Sequence, residues 1–154
     1  MSTRIELWVY RRLMPDLAEM GVQGARILCA VAFKTEDDYT ETEWAIIDTG
    51  SPLSIIPQWV WKQCPVIIRK DHDIRGLVPK EECVLRASFG EITCCLLDEH
   101  NVTDDLTIEV DFVYSDELPI ILGLRDLLER GVVYLDCQND QAYLEMSRKR
   151  RRNT

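Results

Sequence analysis

Residues Ala45–Pro57 read AIIDTGSPLSIIP, and the reading of this stretch decides the fold. Ala45-Ile46-Ile47 is an apolar run of strand character that delivers Asp48 to a turn. A carboxylate beside buried apolar neighbours is costly unless it gains hydrogen-bond partners or carries a function. Gly50 lets the chain turn sharply and brings backbone amides near that carboxylate. Thr49 and Ser51 place hydroxyls on either side of the turn. Leu53–Ile56 is a second apolar run that leads the chain away, and Pro57 stops it. A carboxylate on such a β-turn-β support is well placed for acid–base work. Asp-Thr-Gly alone also fits an ordinary hairpin turn. The frame around it, apolar residues before and a second apolar run at fixed distance after, favours the chemical reading.

Outward from this segment the chain reads as many short strands separated by turn signals. Arg26–Lys34 is apolar on both faces, as a central strand would be. Gln58–Gln63 is a helical turn behind Pro57. Lys70–Lys80 is charged and carries Gly76 and Pro79, so it reads as a loop or a hairpin. Cys83–Phe89 and Ile92–Leu97 flank Gly90-Glu91, which predicts a tight hairpin turn. Leu106–Tyr114 alternates, with Thr107, Glu109 and Asp111 on the solvent side. Ile120–Leu122 runs to Gly123. Arg125–Arg130 is a short helix stopped by Gly131. Val132–Asp136 and Ala142–Glu145 form a closing hairpin. In residues 1–25, Ile5–Tyr10 fits a further strand and Pro15–Met20 a helical turn. The sum is an all-β domain with one or two short helices.

The frame around Asp48 resembles the active-site strand of retropepsin-like aspartic proteases. Their second signature is two apolar residues, a glycine and a short helix. Ile121-Leu122-Gly123, followed by Leu124–Leu128, stands in that place. The spacing of about 75 residues suits the compact retroviral type of subunit. The resemblance covers roughly residues 26–146. It implies a closed β-barrel of the acid-protease fold with one active-site loop per subunit. It makes Asp48 the catalytic aspartate, with Thr49, Gly50 and Ser51 supporting the loop. Thr49 would tie two loops together, and Ser51 would hydrogen-bond the outer carboxylate oxygen. Lys70–Glu82 falls where the family places its flap, with Ile74, Gly76 and Leu77 at the tip. The family's arginine after the downstream glycine is displaced here, because Leu124 intervenes before Arg125. Residues 1–25 then form an N-terminal extension that offers a candidate interface strand, 26–146 the protease domain, and 147–154 a basic tail.

Aspartic protease chemistry needs two carboxylates that share one proton, since two like charges at close range do not both ionise. This chain has one Asp-Thr-Gly and no second Asp-Thr/Ser-Gly. A two-fold axis between two copies of Asp48 supplies the pair, so the expected partner is a second copy of the chain. The expected substrate is a peptide or protein, and neither cofactor nor metal is implied. The rival class is a catalytically silent retropepsin fold used for dimerisation or peptide binding, because a fold does not fix a function.

Composition narrows the remaining options. The 154 residues suffice for one sizeable core. No apolar run reaches the length of a membrane span, and the N-terminus has no uninterrupted apolar segment, so a cytoplasmic location is expected. The six cysteines form no C-x-x-C pair, and His72 and His100 do not fall at zinc-finger spacing, which leaves buried free thiols. Cys94-Cys95 is adjacent on a strand, so its side chains point to opposite faces, and no cysteine–histidine pair emerges. Net charge is −9. Without Arg148–Arg152 (RKRRR), 13 basic residues face 27 acidic ones, a body of −14 that repels nucleic acid and anionic membrane. Only that tail is suited to touch either. Trp44, Trp59 and Trp61 are expected in the core or at an interface.

Overall fold

The computed structural model describes residues 2–74 and 84–147. Its strands are β1 (Ser2–Glu6), β2 (Trp8–Leu13), β3 (Gln23–Phe33), β4 (Glu43–Ile47), β5 (Ser54–Ile56), β6 (Ile67–Ile74), β7 (Leu85–Leu97), β8 (Leu106–Val113), β9 (Ile121–Leu122), β10 (Gly131–Asp136) and β11 (Gln141–Ser147). One α-helical turn, α1 (Gln58–Trp61), follows Pro57. Pro15–Met20 is a 3-10 turn closed by Gly21 in the left-handed region at φ 70°.

Eight strands form one sheet in the order β2-β3-β4-β9-β5-β8-β7-β6. A further pairing of β3 with β7 closes six of them into a ring, with β2 and β6 extending from it. Closure pairs the strands of the ring on both sides and leaves β2 and β6 as the edges of this sheet. The all-β class expected from the strand pattern, and the closed barrel that the resemblance implies, are therefore the observed architecture. Phe33, Leu96, Ile108, Phe112 and Leu122 are fully buried inside it. A second sheet, β1-β11-β10, packs against this core through Ile5, Leu144 and Met146. The chain's first residues thus share the main core: Ile5, Leu7 and Val9 are all buried.

Three readings are corrected. Gly90-Glu91 is no hairpin turn; β7 runs unbroken through it. The glycine is there for close approach, since a Cβ on Gly90 would stand 1.9 Å from the Ile67 carbonyl oxygen of β6. Of the loop and the hairpin read for Lys70–Lys80, the described part, Lys70–Ile74, is the hairpin: a strand held by antiparallel pairing to Leu85–Phe89. Arg125–Arg130 is not a continuous helix: Asp126 takes φ 61°, and only Leu128–Arg130 forms a 3-10 turn. Gly131 is extended there and opens β10. Asp111 does not face solvent; it is buried and paired with His72 at 2.6 Å. Of the tryptophans expected in the core or at an interface, Trp59 and Trp61 pack against the core, and Trp44 is 54% exposed.

Burial sets the cysteine chemistry. Cys94 and Cys95 point to opposite faces, yet both are buried because β7 is covered on both sides. Burial, with Asp98 adding to it, pushes the Cys29 thiol up to about 12, and burial pushes Cys64 up to about 11. Cys94 is raised further still. The thiolate is the reactive species. In the native protein at pH 8, Cys29 and Cys94 should therefore resist alkylation until the chain unfolds. Site-resolved mass spectrometry after iodoacetamide treatment checks this, and fast native labelling of either would contradict the packing.

Candidate active site

Asp48 directly follows β4, and its position is set from three sides. Its N–H donates to the Leu122 carbonyl at 3.0 Å, which fastens the end of β4 to the end of β9. Its carbonyl accepts from the Ser51 N–H at 3.1 Å, closing a turn over Thr49-Gly50. Its carboxylate oxygen Oδ1 accepts from the Gly50 N–H at 2.9 Å. Asp48, Thr49 and Gly50 are all exposed in the single chain.

The strands on either side of this loop are not paired with each other. β9 lies between them, parallel to β4 through Ile46–Ile121 and Ile47–Leu122, and antiparallel to β5 through Ile55–Ile121. This excludes the ordinary hairpin turn as an account of Asp48-Thr49-Gly50. The chain crosses over an inserted strand, and the loop needs bracing from elsewhere.

Residues after β9 provide that bracing. Leu124 N–H donates to the Ser51 carbonyl at 2.9 Å, and Arg125 N–H to the Pro52 carbonyl at 3.0 Å. Gly123 N–H donates to the buried Ser54 hydroxyl at 2.9 Å. A Cβ on Gly123 would stand 2.5 Å from the carbonyl oxygens of both Ser51 and Leu53, so only glycine fits. Ile121, Leu122 and Gly123 thus underlie the loop that carries Asp48. Ser51 departs from the expectation: its hydroxyl donates to the Leu53 carbonyl at 2.5 Å, not to the carboxylate. It stiffens the loop from within.

A crystal structure of a retropepsin-like aspartic protease from Rickettsia conorii superposes on this chain with a TM-score of 0.53. The match covers 95% of this chain and 94% of that one, at 13% sequence identity. The fold is retropepsin-like. No family model matches the sequence, and neither does any curated protein.

Within the retropepsin-like fold, β6 and β7 form two arms of a hairpin that meet at Ile74 and Leu85. Ile74 is half-buried at the end of its arm. Gly76 and Leu77, named with it as flap residues, lie outside the described residues, as does the tail at 148–152. Under the hairpin root sits a small apolar cluster that sequence reasoning missed. Ile55, Ala87 and Val113 are buried in it, with Ile74, Leu85, Leu118 and Ile121 packed around them. Ile121 joins it directly to the strand beside Asp48. Asp111, paired opposite Ile55 and two residues before Val113, shares that face. The signal was partly present: Leu106–Tyr114 stays apolar on alternate residues, but nothing in it shows that the polar side is covered too.

Arg125, one place later than the family pattern, pairs with Glu109 at 3.1 Å. Asp126 accepts from the Glu109 N–H and binds Arg130. Among the described residues, no group of three or more histidine, cysteine or acidic side chains is placed to hold a metal ion. No helix among them is long and apolar enough to cross a membrane.

Proposed function

We propose that this chain is one subunit of an aspartic endopeptidase that is active as a homodimer. Two Asp48 carboxylates across a two-fold axis would share one proton. The ionised one takes a proton from water as it attacks, and the protonated one donates to the scissile carbonyl oxygen. The observation that carries this reading is Asp48 itself. It is an exposed carboxylate on a braced loop, with one oxygen on the Gly50 N–H and no ion pair among the described residues. The peptide would lie extended between the flap and the loop, adding strand-like hydrogen bonds. The apolar cluster of Ile55, Val113, Leu118 and Ile121 would form the wall for its side chains.

Cleavage of a mixed peptide library, together with binding of a statine-type transition-state mimic, tests the reading. An active dyad binds the mimic far more tightly than a substrate peptide. A dimer that cleaves nothing and binds the mimic no better than a peptide would instead be a silent dimerisation or peptide-binding module.

The dimer needs a surface, and the second sheet offers one. β11 is the central strand of that sheet, so β1 and β10 are its two outer strands; β1 exposes Ser2, Arg4 and Glu6, whereas β10 is apolar. Its Val132, Tyr134 and Leu135 are exposed. An apolar edge strand with unpaired backbone groups is a template for pairing. Two copies of β10 meeting antiparallel would satisfy a two-fold axis. Val132→Lys should then weaken the dimer by about tenfold or more, by placing like charges across the axis. Sedimentation velocity reads this, and cleavage should fall in parallel. An unchanged dimer would place the interface on another strand.

A further inference from the structure

Two indoles stand exposed side by side, away from the Asp48 loop. Trp8 on β2 and Trp44 on β4 are 47% and 54% exposed. They flank β3 from opposite edges, Trp8 opposite Leu28 and Trp44 opposite Ala30. Leu28 and Ala30 are two residues apart, so both indoles rise from one face of the sheet. Their ring centroids are 5.4 Å apart and their planes are inclined by 57°. The small side chain of Ala30 leaves space beside them. Leu97, which pairs with Ala30 from β7, closes the floor. The result is a concavity of about 360 Å³, within the range of small-ligand sites.

Its rim is acidic. Glu6, Asp98 and Glu99 all line it. Asp98 is a fixed negative charge. Burial works to raise its carboxyl, but the N–H groups of Glu6, His100 and Asn101 donate to it and hold it below the ordinary value. Glu6 is bridged to Arg4 at 3.1 Å. Glu99 has no hydrogen bond or ion pair among the described residues.

We propose that this concavity binds an organic cation, an alkylammonium or guanidinium head on a short apolar stem, such as a lysine or arginine side chain provides. The face of an indole carries negative quadrupole and attracts cations, tryptophan more strongly than other rings. The rim carboxylates act with the same sign, and the floor of Ala30 and Leu97 accepts the stem. An apolar patch rimmed by polar groups marks a site of interaction. A neutral apolar ligand would make no use of the acids. Trp44 precedes Asp48 by four residues on β4, roughly 13 Å along a strand, so the site is separate from the carboxylate chemistry. The inference holds whether or not Asp48 cleaves a peptide.

The test follows the indole N–H signals of the full chain by NMR at low salt and pH 8. The chain has four tryptophans, so the other two, Trp59 and Trp61, serve as internal controls. Butylammonium and N-acetyl-arginine methylamide are the probes, and n-butanol is the neutral control. The expected result is saturable movement of Trp8 and Trp44 with both cations and none with n-butanol. Trp44→Leu keeps an apolar cover and should weaken binding about three- to tenfold. Glu99→Gln should weaken it less and flatten its salt dependence. Tighter binding of the blocked arginine identifies a peptide side chain as the natural source, and equal binding a free amine. Binding of n-butanol as tight as the cations, or Trp8 and Trp44 signals that do not move, overturns the proposal.

Discussion

Asp48→Asn should abolish peptide cleavage while leaving the dimer intact. Asparagine is nearly isosteric with aspartate, and its carbonyl oxygen can still accept the Gly50 N–H that holds Asp48 in place. The loop should therefore keep its shape, since its bracing comes from backbone bonds at Ser51, Leu122 and Leu124. What the variant loses is the proton-accepting carboxylate. A dyad of two asparagines has no base for the water, and the expected loss is at least about 10⁴-fold, the upper range for general acid–base catalysis. Mixing sharpens the prediction. If equal amounts of native and variant subunits exchange freely, about a quarter of the dimers are native on both sides. A shared dyad leaves about a quarter of the activity, whereas independent sites in each subunit leave about half. Residual cleavage near one half would remove the shared dyad, and full activity in Asp48→Asn would remove Asp48 from the chemistry.

The all-β class was legible from the sequence because its signals are local, while the closed barrel was implied by the family resemblance. Leu106–Tyr114 alternates, Ala45–Ile47 and Leu53–Ile56 are short apolar runs, and Pro57 and Gly123 punctuate them. The turn that carries Asp48 was legible for the same reason, since it and its flanking strands are contiguous. What was not legible depends on residues far apart in the chain. Gly90 resembles a turn residue when seen with its neighbours, but its role is set by the Ile67 carbonyl arriving from β6. Asp111 has an outward position by alternation, yet His72 from β6 and Ile55 from β5 cover it. The chain's first strand looked like an appendage, and only the register of Ile5 with Leu144 shows that it completes a sheet. Trp44 fits a buried strand by composition, but in the single chain it is 54% exposed, next to Trp8. Ser51 sits at the position the resemblance assigns, but its hydroxyl finds the Leu53 carbonyl two residues away before it can serve the carboxylate.

Gly123→Ala should disable the site without touching any group that reacts. The added methyl would meet two carbonyl oxygens at 2.5 Å, one from Ser51 and one from Leu53. Both belong to backbone, so neither can swing aside as a flexible side chain would. Either β9 moves away from the loop, or the loop lifts from β9. Overpacking of this kind costs about 1–3 kcal/mol, read as a lower urea midpoint with an unchanged slope. The effect on cleavage should be larger than the effect on stability. The bonds from Leu124 to Ser51 and from Arg125 to Pro52 fix the height of the Asp48 turn, and a dyad requires two such turns in register. Ser54→Ala separates these contributions. It removes the acceptor of the buried Gly123 N–H and adds no bulk, so it should cost about 1–3 kcal/mol from the unsatisfied donor. If loop position controls activity, Gly123→Ala loses far more cleavage than Ser54→Ala at matched stability. Equal losses at matched stability would mean that the downstream glycine supports the fold and has no particular hold on Asp48.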